Sequence, residues 1–298
     1  MVVIVVGESA RAKNWGLNGY ERNTSEFLDK HRDNIVNFTN VESCGSSTFV
    51  SVPCIFSHMS SSNFSLNRAK NTENILDIFK NFGFDVFWLS NNGDCKNVCN
   101  RVYFKHVESA NNFDDKLFED AKVIVENGNN KNTILVLHQR GSHGPLYYKQ
   151  YPENFDKYQP SCKSDIKDCD IQEVINSYDN SILYTSYLLS EFIDFLGQQK
   201  NYDNILLLYV SDHGESFGEK NMLMHAGPYV LTKNEQWKVP MFMWLKGYPF
   251  DRRYLLKASG RKLSHDNIFH SLLGLFGIYG NYYNCELDLF NWCKDAKY

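Results

Sequence analysis

Five short runs of consecutive apolar residues recur along the chain, separated by polar or amphipathic stretches. Runs of this length that are apolar throughout are typical of β-strands buried on both faces, as in a parallel sheet covered by helices. The intervening stretches include three with helical spacing of apolar residues, at 71–83, 170–199 and 264–277. This alternation predicts an α/β fold with a mainly parallel central sheet between helices. The predicted strands are Val2–Val6, Phe84–Leu89, Thr133–His138, Ile205–Val210 and Val239–Leu245.

The length and charge of the chain restrict its class. It has 298 residues and no Pro-, Gly- or Ser-rich linker between two apolar blocks, so we expect a single domain over 1–298. The formal net charge is −4 and no long basic run is present, so nucleic acid is not an expected partner. The sequence has no run of about 18 apolar residues, the length that predicts a membrane-spanning helix.

Eight cysteines occur as four neighbouring pairs with different spacings. An even count in close pairs predicts short-loop disulfides and an oxidising compartment. Zinc-binding cysteine pairs in a reducing compartment are the alternative, and the sequence leaves the connectivity open. Disulfides require an export route, and the chain begins directly on a buried-type strand, so we expect an N-terminal membrane region to precede it. The pairs are Cys44/Cys54, Cys95/Cys99, Cys162/Cys169 and Cys285/Cys293.

Polar side chains with catalytic or metal-binding chemistry follow the predicted strands. Because the carboxyl ends of parallel strands meet at one edge of a sheet, side chains that follow different strands can converge there. Each residue alone is more often a cap, an ion-pair partner or a structural histidine, but their joint placement predicts one site. They are Glu8 after the first strand, Asn92 and Lys96 after the second, His138 and His143 after the third, Asp212, His213 and Glu215 after the fourth, and His225 further along.

Glu8, Asp212 and His213 have the side-chain chemistry of a zinc site. Zn²⁺ binds histidine nitrogen and carboxylate oxygen, usually with four ligands, and catalytic sites leave one position for the reacting group. Asp212 and His213 are adjacent, so they would reach one ion from a turn, and Glu8 would add a ligand from a neighbouring strand. The sequence therefore predicts zinc at this edge of the sheet.

The segment SCGSSTFVSVPCIFS, residues 43–57, places hydroxyl side chains directly before an apolar run. We expect Thr48 in the first turn of a helix, where backbone N–H groups and the helix dipole favour an anionic oxygen or a phosphate. Metal coordination is one way to activate such a weak nucleophile. A bridge between Cys44 and Cys54 would clamp the turn that presents Thr48. The alternative is that Ser46, Ser47 and Thr48 only cap the helix.

Five motifs, in this order, resemble those of the periplasmic catalytic domain of the Gram-negative lipid A phosphoethanolamine transferases, which include the colistin-resistance enzymes. The resemblance spans roughly residues 2–277 and implies an α/β/α sandwich of the alkaline-phosphatase/sulfatase type. It also implies that Glu8, Thr48, Asp212 and His213 hold one Zn²⁺. The motifs are GESAR, SCGSSTFVSVPCIFS, HQRGSHGP, SDHGESFGE and MHAGPY.

The resemblance also implies an activity. Thr48 would take phosphoethanolamine from phosphatidylethanolamine as a covalent phospho-threonine and pass it to lipid A or another envelope acceptor. His143 and His225 match histidines that contact the phosphate or a second metal, and either could be the general acid. Asn92 and Lys96 fall where the family binds substrate. Full-length members carry N-terminal transmembrane helices, which would place this domain in the periplasm at the inner membrane.

Two kinds of alternative function remain at this point. Phosphoglycerol transferases, phosphodiesterases and sulfatases belong to the same superfamily, although a sulfatase would require a C/S-x-P-x-R pattern and SVPCIFS lacks the arginine. A non-catalytic, disulfide-stapled domain would keep the fold without turnover. Bound zinc and a reactive Thr48 separate the transferase from the non-catalytic domain.

Overall fold

The computed structural model describes residues 1–111, 113–128, 132–248 and 252–290. These residues form an eight-stranded sheet and a separate two-stranded hairpin. The strands of the large sheet are β1 (Val2–Gly7), β2 (Ile35–Glu42), β3 (Asp85–Ser90), β4 (Tyr103–His106), β5 (Thr133–His138), β6 (Ile205–Ser211), β9 (Lys238–Lys246) and β10 (Leu263–Ser264), and the hairpin consists of β7 (Ser216–Phe217) and β8 (Leu223–Met224).

The strand order in the large sheet is β10-β2-β9-β6-β1-β5-β3-β4. All neighbouring pairs are parallel except those of β9, which runs antiparallel to both β2 and β6. All five predicted strands form, and the prediction of a mainly parallel sheet is confirmed. Val6 of β1 pairs with His138 of β5 on one side and Val210 of β6 on the other. The carboxyl ends of these three central strands are therefore in register.

Three strands of the large sheet were not predicted from the sequence. β4 is exposed along its whole length at the edge, so it carries no continuous apolar run. β2 mixes buried and half-buried positions, and its sequence IVNFTNVE contains two asparagines. β10 has only two residues. Periodicity detects strands buried on both faces, and none of these three has that pattern.

Helices cover both faces of the large sheet. The three predicted helices correspond to α3, α5 and α8, and Thr48 is the first residue of α1, as expected. The helices are α1 (Thr48–Ile55), α2 (Leu66–Lys70), α3 (Ile75–Asn81), α4 (Asp115–Glu126), α5 (Ile171–Gln198), α6 (Tyr229–Thr232), α7 (Arg253–Ala258) and α8 (Asp266–Leu275).

The alternation of side chains along β1 divides the core into two layers. Val3 and Val5 belong to one buried cluster, which includes apolar residues of α4 and α5. Val2 and Ile4 belong to the other, which includes residues of α1, α3 and α8. Successive side chains of a strand point to opposite faces, so the sheet lies between two helical layers. This is the α/β/α sandwich that the resemblance implied.

Three of the predicted cysteine pairs are disulfides: Cys44–Cys54, Cys95–Cys99 and Cys162–Cys169. Cys285 is also disulfide-bonded, and Cys293 lies outside the described residues. None of the helices in the described ranges combines the length and the apolar character that crossing a bilayer requires.

Candidate active site

The in-register ends of β1 and β6 bring three potential ligands together. Glu8 follows β1, and Asp212 and His213 follow β6. All three side chains are buried, and one ligand atom from each lies within 4.8 Å of the other two. The sequence predicted this convergence from strand ends alone, and the register of the parallel strands explains it.

Thr48 joins this cluster from the start of α1. Its Oγ1 donates a hydrogen bond of 2.9 Å to Glu8 Oε2 and lies 3.3 Å from His213 Nε2. The Cys44–Cys54 disulfide links the segment before α1 to the helix itself. The bridge therefore encloses Thr48 in a short loop, which limits how far its hydroxyl can move from Glu8.

Backbone contacts fix the orientation of Asp212 and His213. Nδ1 of His213 donates to the Gly214 carbonyl at 2.8 Å, which leaves Nε2 facing the cluster. Oδ1 of Asp212 accepts from the amides of Ser9 at 3.1 Å and His213 at 2.7 Å. Its Oδ2 has no hydrogen-bond partner among the described residues and lies 3.4 Å from His213 Nε2. A buried carboxylate oxygen without a hydrogen bond is costly and is typical of an atom meant for a cation.

Burial and neighbouring charges set the protonation of the cluster. Burial, with the charge of Glu8, raises the pKa of Asp212 to about 7. Burial lowers the pKa of His213, but the Asp212 and Glu8 carboxylates outweigh it and raise that pKa to about 10. Burial raises the pKa of Glu8, yet the charge of His213 holds it well below its usual range. The imidazolium of His213 therefore balances the negative charge of these carboxylates.

The donor set fits zinc. Two carboxylates, one imidazole nitrogen and one hydroxyl converge, and Asp212 Oδ2 is without a hydrogen bond among the described residues. This mixture of oxygen and nitrogen donors is one that Zn²⁺ accepts in four-coordinate sites. Glu8, Thr48, Asp212 and His213 are the residues that would hold it.

The loop after β5 packs directly on Glu8. Gly141 has φ +51°, and a Cβ atom there would lie 2.9 Å from both the backbone nitrogen and the carbonyl oxygen of Glu8. Glycine is therefore required by both the backbone conformation and the space. The Ser142 amide donates to the Glu8 carbonyl at 3.0 Å. These contacts carry the next residue, His143, to the site.

His143 and His225 lie on the same side of the cluster. The His225 ring centroid is 4.6 Å from that of His213 and 5.9 Å from that of His143. Both histidines are half-buried, so their rings line a surface that a substrate can reach. The structure thus brings together both histidines that the sequence selected.

Asn92 and Lys96 are placed differently. Asn92 Nδ2 donates to Glu8 Oε2 at 2.6 Å and lies 3.3 Å from His138 Nε2, so it contacts the predicted ligand set directly. Lys96 Nζ is 2.8 Å from Asp94 Oδ1, and no contact among the described residues joins it to Thr48 or Glu8. Its charge does contribute, after burial, to the lowered pKa of His138, about 4. Substrate binding by Asn92 and Lys96 stays a prediction.

A family model described as Sulfatase matches residues 1–278. The chain belongs to the sulfatase family. The α/β/α sandwich with a mainly parallel sheet is the fold of this family, so the predicted fold class is confirmed.

Within the sulfatase family, phosphoethanolamine transferases are among the similar proteins, one of them at 38% identity over 93% of the chain, which confirms the resemblance noted in the sequence. Phosphoethanolamine transferase EptA of Escherichia coli strain K12 is 37% identical over 310 residues, covering 99% of this chain. The alignment covers 56% of that protein, so the chain spans just over half the length of this relative.

Two solved structures of this family match closely. The soluble domain of lipooligosaccharide phosphoethanolamine transferase A from Neisseria meningitidis has a TM-score of 0.93 at 36% identity, over 98% of this chain and 92% of that one. The C-terminal periplasmic domain of phosphoethanolamine transferase EptC from Campylobacter jejuni has a TM-score of 0.88 at 40% identity, over 98% and 93%.

Two buried residues of this sulfatase-family site were given no role from the sequence. Glu215 is fully buried, and its Oε1 lies 3.5 Å from Nδ1 of His225. It stands in the same motif as Asp212 and His213, so its position in SDHGES was an available signal. Gln236 is also fully buried, and its side-chain amide contacts the segment that carries His225. No spacing or motif in the sequence marks it.

Proposed function

We propose that the chain is the catalytic domain of a zinc-dependent phosphoethanolamine transferase. The domain takes the headgroup of phosphatidylethanolamine and passes it to lipid A or another envelope acceptor. It works in the periplasm, attached to the inner membrane through an N-terminal transmembrane region. The observation that carries the proposal is the position of Thr48 Oγ1, which lies 2.9 Å from Glu8 Oε2 and 3.3 Å from His213 Nε2.

In the first step Thr48 Oγ1 attacks the phosphorus of the donor. The hydrogen bond from Thr48 to Glu8 Oε2 directs the hydroxyl proton toward the carboxylate and leaves a lone pair free for the attack. A Zn²⁺ held by the four ligands would lower the proton affinity of the hydroxyl and offset charge on the phosphoryl group. Asn92 keeps Glu8 in place through the bond to Oε2. A new Thr48–phosphorus bond forms as the bond to diacylglycerol breaks.

The leaving oxygen of diacylglycerol requires a proton, and His143 or His225 would donate it as the general acid. A positioned general acid is typically worth about 10²–10⁴-fold in rate. Glu215, whose Oε1 lies 3.5 Å from His225 Nδ1, would orient that ring. The acceptor hydroxyl or phosphate then attacks the phospho-threonine, which regenerates Thr48. Two successive displacements predict ping-pong kinetics.

Intact mass spectrometry tests the proposal. The zinc-loaded chain is incubated with phosphatidylethanolamine without an acceptor, and peptide mapping locates the adduct. We expect one phosphoethanolamine group on Thr48 and none in Thr48→Ala. Ser47→Ala is the matched control, because Ser47 precedes Thr48 and makes no side-chain cap hydrogen bond. It should form the adduct as the wild type does.

Three outcomes overturn parts of the proposal. An adduct on another residue would move the nucleophile. A phosphoglycerol adduct from phosphatidylglycerol, with none from phosphatidylethanolamine, would replace the substrate. The absence of any adduct in a protein shown to contain zinc would remove the covalent mechanism.

A further inference from the structure

The segment that carries His225 exposes apolar side chains. Residues 221–232 contain no Asp, Glu, Lys or Arg, and Lys220 and Lys233 flank them. Single exposed apolar residues are common on protein surfaces, whereas a contiguous group marks an interaction site. The exposed fractions in this group are 83% for Val230, 52% for Leu223, 42% for Leu231 and 38% for Tyr229, and Phe49, next to Thr48, is 52% exposed. We call these five residues the apolar rim.

The two parts of the apolar rim lie beside each other at the site. The amide of Ala226 donates to the Ser46 carbonyl at 2.7 Å, and Ser46 Oγ donates to the Gly227 carbonyl at 3.0 Å. These bonds join the His225 segment to the turn that precedes Thr48. Phe49 follows Thr48 directly. A surface that covers the apolar rim therefore also covers the entrance to the nucleophile.

The His225 segment is held in a defined shape. Met224 and Ala226 have backbone φ values of +63° and +64°, which residues other than glycine rarely adopt. The buried Gln236 side chain donates to the Met224 carbonyl at 2.8 Å and accepts from the Gly227 amide at 2.8 Å. Because the backbone is braced from inside, the exposure of Leu223, Val230 and Leu231 is a fixed feature of the fold and not an unpacked loop.

We propose that the apolar rim inserts into the headgroup–acyl boundary of a phospholipid bilayer and delivers a donor lipid headgroup to Thr48. The inference rests on the proposed function, because a phospholipid donor held in a bilayer requires a site that is open toward the membrane. Apolar side chains with an amphipathic tyrosine and flanking lysines are the composition of interfacial membrane contacts.

The charges around the apolar rim agree with an anionic lipid surface. Lys220 and Lys233 flank the His225 segment and are exposed. The nearest acidic groups are paired: Glu42, which accepts from the Tyr229 hydroxyl at 2.6 Å, lies 3.5 Å from Lys238 Nζ and 3.8 Å from Lys262 Nζ, and Glu219 lies 2.7 Å from Arg11. On the other side, Lys70 Nζ lies 5.9 Å from the centre of the Phe49 ring. A basic border favours anionic phospholipids and would be repelled by a basic partner surface. A bilayer that contains phosphatidylglycerol would both bury the apolar side chains of the rim and attract the lysines beside it.

Vesicle co-sedimentation of the 298-residue chain tests the inference. We expect binding to vesicles of phosphatidylethanolamine with phosphatidylglycerol, and binding weaker by about tenfold or more in the double variant Val230→Asp/Leu231→Asp. Val123→Asp is the matched control: Val123 is also 54% exposed, but it lies in the last turn of α4, which leads to the start of β5 at the opposite edge of the sheet. It should bind like the wild type.

Turnover of a monomeric short-chain phosphatidylethanolamine separates this inference from the proposed function. The double variant should keep wild-type turnover of the monomeric lipid and lose turnover of vesicles. If the wild type turns over the monomeric lipid but does not bind vesicles, the inference is wrong and the proposed function stands. If it binds vesicles through the apolar rim but turns over neither substrate, the proposed function fails instead. A third outcome is that the wild type does not bind vesicles but self-associates, and the double variant does not self-associate. The apolar rim then contacts a second copy of the chain, and the inference is wrong.

Discussion

Thr48 Oγ1 donates a hydrogen bond to Glu8 Oε2 at 2.9 Å, although 40 positions separate the two residues in the chain. Glu8 directly follows the central strand β1, and Thr48 begins α1 on one face of the sheet. The bond therefore joins a rigid, fully buried strand end to a helix start that a disulfide constrains. This pairing makes Thr48, among the many hydroxyl residues of its segment, the one within reach of the acidic cluster.

Zinc affinity should rise steeply with pH. Asp212, with a pKa of about 7, and His213, with a pKa of about 10, must each lose a proton before they bind a cation. Below pH 7 the protons on Asp212 and His213 both compete with the metal. Above pH 7 only the proton on His213 competes. We expect the apparent affinity to increase about a hundredfold per pH unit below pH 7 and about tenfold per unit above it.

Isothermal titration calorimetry in buffers of different ionisation enthalpy measures both the affinity and the number of protons released. The control is Asp212→Asn, which removes one titrating ligand. It should bind zinc more weakly and release about one proton fewer below pH 7. An affinity that does not change between about pH 6 and pH 8 would contradict the assignment of these two residues as ligands.

Gln236→Leu should reduce turnover without removing the metal. The change deletes the bonds to Met224, Gly227 and Ser216, which are 2.8 Å, 2.8 Å and 2.9 Å long. Without this brace the positive φ angles at Met224 and Ala226 relax, and His225 moves from its place. We expect kcat to fall by about tenfold to a hundredfold, with a much smaller change in KM. This loss is smaller than the loss expected when a general acid is removed altogether.

The control for Gln236 is Thr232→Val. Thr232 Oγ1 donates to the carbonyls of Pro228 at 2.9 Å and Gly227 at 3.3 Å, but among the described residues it has no hydrogen bond to Met224. Its loss should leave kcat close to that of the wild type. Zinc content measured on each variant separates a displaced His225 from a damaged fold. A wild-type kcat in Gln236→Leu would show that the brace has no role in turnover.

The sequence predicted the parts of the site that depend on strand ends. Glu8, Asp212 and His143 each follow an all-apolar strand, and such strands are visible because both faces are buried. Thr48 was predicted because a hydroxyl-rich turn before an apolar run is a local signal for a helix start. These signals require no knowledge of which strands are neighbours.

The rest depends on long-range contacts that local patterns do not contain. That β1 lies between β5 and β6 follows from crossover connections, and the antiparallel direction of β9 leaves no mark in its apolar run. Gln236 contacts Met224 only because the chain turns back after α6. Lys96 was selected by motif position, but its ammonium pairs with Asp94.

Removal of the Cys44–Cys54 disulfide should abolish most turnover, whereas removal of Cys162–Cys169 should not. The two bridges close loops of similar size, with separations of 10 and 7 residues. The chain-entropy model therefore assigns both a similar contribution of about 2.5 kcal/mol to the free energy of unfolding. Only the first loop contains Thr48. We expect the two double-alanine variants to lose similar stability in thermal unfolding, while only the first loses Thr48 phosphorylation. Equal activity in both would show that the bridge does not position the nucleophile.

His265 should make the protein sensitive to acid. The ring is fully buried: its Nδ1 accepts from the Cys44 amide at 3.1 Å and its Nε2 donates to the Ser211 carbonyl at 3.0 Å. Burial lowers the pKa of His265 to about 3, so the ring is neutral in the folded protein. The unfolded chain binds a proton at this position below its ordinary pKa of 6.5, whereas the folded chain does not until about pH 3.

The folded state therefore loses about 1.4 kcal/mol per pH unit from this residue as the pH falls below 6.5. Urea unfolding at several pH values between about 7 and 4 measures this slope. The glutamine of His265→Gln does not titrate. The free energy of unfolding of this variant should therefore fall less steeply with pH, by the contribution of one proton, even if the variant is less stable at neutral pH. If the slope of His265→Gln matches that of the wild type, His265 is not the neutral link between the Thr48 segment and the end of β6 that the hydrogen bonds indicate.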